Sequence, residues 1–175
     1  MQNLLALFVV AVLFFVLANV LNTVGALPGL SRTLDFTLFR TAQTQMLLLG
    51  FFSLVAIGGI YHVLPRVADI KWPFAGLVRL HFWLAVAGVL FIVVPGIFGG
   101  WQQGAKLAQP SVAFLDIAKG TLMPIRMASL GETLWALGAL LFAANVFALV
   151  LARVRTSAKP FVAEVTTQIS ASEVK

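Results

Sequence analysis

Apolar residues in this chain gather into four long runs, each closed by a short break. The runs are Leu4–Leu27, Thr41–Leu64, Val78–Phe98 and Met127–Ala152. Pro28-Gly29, Pro65-Arg66, Gly99-Gly100 and the pair Arg153/Arg155 end them in turn. Each run has at least the ~20 residues that a helix needs to cross a bilayer core. Lipid offers the backbone no hydrogen-bond partners, so these spans are expected as helices and not strands. The predicted fold is an all-α membrane protein with four transmembrane helices over residues 1–155. A polar tail over 156–175, with Ser, Thr, Glu and Lys, reads as a solvated, mobile cytoplasmic end. The stretch 99–126, with Pro110, Phe114 and Pro124, is expected as the longest outer loop, packed across the outer face. The first run lacks a basic n-region and exceeds the ~7–15-residue core of a signal peptide, so it is read as a retained helix. No internal repeat stands out.

Composition agrees with one compact membrane domain and no soluble module. Hydrophobic residues make up 61% of the chain and charged residues 10%, against about 25% charged in soluble domains. The absence of cysteine excludes disulfides, Cys-ligated metals, c-type haem attachment and thiol catalysis. The net charge of +6 is spread over segments that flank the spans. That placement suits lipid headgroups and topology, not nucleic acid. With both termini cytoplasmic, Arg66, Lys71, Arg79, Arg153, Arg155, Lys159 and Lys175 lie inside, and Arg32, Arg40, Lys106, Lys119 and Arg126 outside. This excess of positive charge inside sets the expected orientation.

Polar residues within apolar runs are costly and carry either packing or function. Asn19 and Asn22 share a face of the first helix, Gln43 and Gln45 sit at the outer end of the second, Glu132 lies early in the fourth and Asn145 deep within it. The functional reading is a proton or quinone path through Glu132. The structural reading, which we favour, is interhelical hydrogen bonding by Asn19, Asn22, Glu132 and Asn145, worth about 1 kcal/mol per contact. His62 and His81 are the two histidines, both beside the inner loop near Tyr61, Trp72 and Trp83. A bis-histidine haem site needs such a pair, but interfacial capping and headgroup contact explain them more simply. No His-x-His or His-x3-His spacing supports a metal site. Gly50, Ala56, Gly58 and Gly59 leave part of the second helix thin, which permits close packing.

Several motifs together resemble one family. Phe36-Thr37, then Thr44–Pro65 ending in GGIYHVLP, then LHFWLAVAGV at 80–89 and GIFGGWQQG at 96–104, resemble the C-terminal part of subunit I of C-type (cbb-type) haem–copper cytochrome c oxidases. Arg126 followed by GALLFAANVF is similar to that family's last helix, and the resemblance covers about Val20 to Ala152. It implies the last four helices of an oxidase subunit I. It also implies that Gln43 and Gln45 stand where the family has its two axial haem histidines. Amides are poor substitutes for imidazole at haem iron. The family's copper ligands lie on helices that this sequence does not contain. The expectation is therefore a truncated paralogue with no catalytic residues, no metal site and no cofactor of its own.

The function expected is a non-catalytic membrane subunit that scaffolds or docks onto a larger respiratory electron-transfer complex in a bacterial inner membrane. Its partners would be other membrane subunits, c-type cytochromes and lipid, with haem in the partner chains. One alternative is a haem-bearing or quinone-interacting subunit completed by partners, with His62 and His81 as candidate ligands. A second is a small transporter or sensor, which fits the helix count but leaves the motifs unexplained.

Overall fold

The computed structural model describes residues 2–173, with side chains over 5–158. It is helical along almost its whole length. Helix α1 is Gln2–Gly25, α2 is Pro28–Leu34 and α3 is Leu38–Gln45. A π-helical stretch, Met46–Ser53, joins α3 to α4, Leu54–Ala68, so that Leu38–Ala68 forms one continuous rod. Helices α5, Ala75–Leu107, and α6, Phe114–Glu173, complete the chain. Four helices are long and apolar enough to cross a membrane: Leu5–Gly25, Leu38–Ala68, Ala75–Leu107 and Phe114–Ala158. The protein is thus a multi-pass membrane protein with the four spans that the hydrophobic runs predicted.

The helices overshoot those runs. Helix α5 extends nine residues past Phe98, and α6 begins at Phe114, so the connection between them is residues 108–113 and not a long outer loop over 99–126. Hydropathy marks the part of a helix that sits in hydrocarbon, whereas the hydrogen-bonded ladder continues into the headgroup region. Gly99, Gly100 and Pro124 lie within helices and serve as packing surface. The polar stretch after Ala152 continues α6 as helix through Glu173.

Helix α2 escaped the sequence reading. It is one short segment opened by Pro28, whose missing N–H costs nothing at a first helical turn. Thr37 then caps α3: its Oγ1 accepts from the Phe39 N–H at 3.3 Å. The neighbouring Leu38 N–H donates to Gln103 Oε1 of α5 at 3.0 Å, which satisfies another free donor of the helix start. At the other end of the rod, Asp69 takes a left-handed conformation (φ 52°) and closes α4 through its N–H to Arg66 O.

Helix α5 is the most buried span and forms the centre of the bundle. Its glycines set the distances to its neighbours. A Cβ on Gly88 would lie 2.8 Å from Gly131 O of α6, and one on Gly131 would lie 2.6 Å from Gly88 O. On the other side, Gly96 meets Ala42, Gly100 lies against the backbone of Phe39 and Gly104 against that of Thr33. Small residues permit this backbone approach, which in lipid replaces the hydrophobic effect as the source of helix association. Helix α1 presents Leu7, Ala11, Phe14 and Ala18 to the rod, spaced four, three and four apart along one face. Phe14 seats on Gly50 within the π stretch.

Candidate functional site

Arg40 organises the polar residues at the end of the bundle where α3 begins. Its Nε donates to Asp35 Oδ1 at 3.0 Å, and its Nη2 lies 2.8 Å from the same oxygen. Its Nη1 donates to Asn22 Oδ1 of α1 and to Gln43 Oε1 of α3, both at 3.0 Å. Gln43 is 5% exposed. Its Nε2 donates to Ala18 O of α1 at 3.3 Å, so both ends of the amide are engaged. The network ties α1, the turn before α3 and α3 itself. Arg40 and Asp35 are each about one-third exposed, so their ion pair contributes little alone. The larger consequence is that buried Gln43 has a partner for both its amide oxygen and its amide nitrogen. Sequence reading placed Arg40 among headgroup charges. A cation one residue before an uncharged span was the available signal for its inward role.

Gln45, two residues on, faces the opposite way. It lines a cleft of about 170 Å3 between α3, α5 and α6, with Thr41, Ile92, Ser129 and Glu132 also on the wall. Glu132 is exposed on α6, next to the point where Gly131 touches Gly88. Asp35–Arg40 is the one ion pair among the described residues, so Glu132 has no cationic partner there. Asn19 is also exposed, and its Nδ2 donates to Phe15 O of its own helix at 2.7 Å.

At the opposite end of the bundle, α4, α5 and α6 bury a second polar group. Tyr61 and His81 are each 1% exposed, and Tyr61 Oη lies 3.0 Å from His81 Nδ1. Trp72 donates its Nε1 to Tyr61 O at 3.0 Å and stacks edge-on to the Tyr61 ring. Phe142 of α6 packs against both Tyr61 and His81. Asn145, fully buried, donates Nδ2 to Phe74 O at 3.2 Å and so fastens α6 to the start of α5. His62 points outward and pairs with Arg66 one turn on. The two histidines therefore do not share a site.

The resemblance implies a haem at the Gln43/Gln45 end of the bundle, and the residues there do not fit one. Gln43 offers an amide whose oxygen and nitrogen are both committed within the chain. The Gln45 cleft, at about 170 Å3, is smaller than the ~300–1,000 Å3 typical of small-molecule pockets. At the opposite end, His81 is 1% exposed and packed by Tyr61 and Phe142, and His62 points away from it, so the two histidines form no bis-histidine site. No group of three or more His, Cys, Asp or Glu positioned for a metal ion occurs among the described residues.

Comparison with known proteins bears on the whole scaffold. Residues 1–134 match the family described as Cytochrome C and Quinol oxidase polypeptide I. The chain is also 26% identical over 97 residues to the Cbb3-type cytochrome c oxidase subunit CcoN1 of Stutzerimonas stutzeri. That match takes in 55% of this chain and 20% of the relative, so the chain spans about one-fifth of that protein's length. With the four-span helical bundle and the family match over residues 1–134, the chain belongs to the Cytochrome C and Quinol oxidase polypeptide I family.

Proposed function

We propose that this chain is a non-catalytic, subunit I-like component that scaffolds or docks onto a larger respiratory electron-transfer complex, with the haem held by partner chains. The observation that carries this reading is Gln43. At a position where the resemblance implies an axial histidine, the side chain is buried and both ends of its amide are bonded within the chain. Packing is kept where ligation is given up. Membrane subunits and c-type cytochromes of an oxidase-like complex are the partners proposed, in a bacterial inner membrane with both termini cytoplasmic.

Two measurements test this. The chain is purified from its native membranes in mild detergent and examined by native gel and by pyridine haemochrome spectrum. It is expected to migrate with other membrane subunits and, once isolated, to show no b-type haem. Stoichiometric haem in the isolated chain refutes the scaffold reading, and migration as a lone folded monomer favours a free-standing transporter or sensor. For orientation, a reporter fused after Lys175 is expected to be active in the cytoplasm. Periplasmic activity reverses the topology.

A further inference from the structure

Glu132 is placed where an unpaired carboxylate is least tolerable. Its neighbour Gly131 would set a Cβ 2.6 Å from Gly88 O and 2.8 Å from Ile92 Cγ1. Gly88 is the central residue of the apolar run 78–98 and Glu132 lies five residues into the run 127–152, so Glu132 is set within the hydrocarbon span. It is exposed on the bundle surface, at the wall of the cleft that Gln45 and Ser129 also line. Among the described residues no cation reaches it: Arg40 is engaged by Asp35, Asn22 and Gln43, and Arg126 lies more than one turn away along α6. An ionised side chain facing lipid at this depth is strongly disfavoured, and intramembrane carboxylates are found paired.

We infer that the α3–α5–α6 cleft is a docking surface for a transmembrane helix of another chain, one that carries a lysine or arginine opposite Glu132. This rests on the subunit reading above and adds the surface and the chemistry of the contact. Three observations select the occupant. A cation that pairs with Glu132 inside the ~30 Å hydrocarbon core must be held at that depth, which a side chain borne on a spanning helix provides. The cleft, at about 170 Å3, holds a side chain and no macrocycle. A second copy docked by the same face would bring Glu132 against Glu132, which like-charge repulsion opposes. The remaining wall, from Leu38, Ile92 and Ile125, gives the helix an apolar bed.

The chain has no cysteine, so Ser129→Cys provides a unique thiol at the cleft and Val16→Cys one on the outward face of α1. Each is labelled with a thiol-reactive benzophenone in native membranes, irradiated, and the crosslinked peptide sequenced by mass spectrometry. From position 129 the expected product is a spanning helix of a different chain with Lys or Arg within one turn of the crosslink. Its yield falls at least about tenfold in Glu132→Gln and is kept in Glu132→Asp. Glu132→Gln is nearly isosteric at an exposed position, and an unchanged elution volume in detergent shows that it still folds. A captured helix without Lys or Arg, a yield unchanged by Glu132→Gln, or crosslinks solely to lipid or a second copy overturns the inference. Capture from position 16 but not from 129 also overturns it and leaves the subunit reading standing. No capture from either face, together with migration as a monomer, removes both.

Discussion

Gly100→Ala is expected to destabilise the bundle by about 3 kcal/mol, the upper end of the range for overpacking. A single methyl group there lands on the backbone of Phe39, which is the first turn of α3 and has no room to move without breaking its cap. Gly59→Ala is the matched control. Nothing lies within 4 Å of a Cβ at that position, and the change leaves the backbone helical. The pair is compared by thermal unfolding in detergent. The Gly100 variant is expected to melt roughly 10 °C lower, whereas the Gly59 variant matches the parent or exceeds it slightly through better helix propensity. Equal melting of both would mean that α3 does not rest on α5 as described.

Removing Arg40 is the second large effect. Arg40→Met keeps the length of the side chain and deletes every donor that Asn22, Asp35 and Gln43 receive. Asp35 and Asn22 recover water or headgroup contacts, but Gln43 Oε1 is buried, and orphaning it costs about 1–3 kcal/mol. Arg40→Lys is expected to rescue only part of this, because one ammonium cannot span three acceptors as a planar fork does. The decisive measurement is a double-mutant cycle with Gln43→Leu. If the two residues act as a unit, the pair loses less stability than the sum of the single changes. Additive losses would show that Arg40 and Gln43 contribute independently.

How much of this was readable from the chain depended on which physical rule a residue obeyed. The four spans were legible because a run of ~20 apolar residues has essentially one outcome in a bilayer. Their ends were not, because hydropathy stops at the headgroups while the backbone ladder continues, as α5 does to Leu107. Gly99, Gly100 and Pro124 read as breakers by the habits of water-soluble chains. In this bundle Gly99 faces Pro124 across the α5–α6 contact, and both lie in helix. Gln43 and Gln45 were singled out through a resemblance, and the structure separates them to opposite sides of the helix. The place of Arg40 one residue before an uncharged span was a signal of its inward role, but its partners were not legible, because Asn22 is 18 residues away and meets it only once α1 packs against α3. The Tyr61–His81 pair was hidden for the same reason: each residue is ordinary until α4 and α5 fold together.

The glycine stripe has a bearing on ancestry. Gly96 and Gly100 grip α3 through Ala42 and Phe39, whereas Gln43 turns from that grip toward Ala18 of α1. The contacts of position 43 and the glycine grip thus lie on different sides of one helix. Within a lineage, a change at position 43 leaves the α3–α5 surface in place and is felt at the α1 contact instead. Substitution should be least tolerated at 96, 100 and 104, where an added methyl group meets Ala42 or the backbone of Phe39 and Thr33.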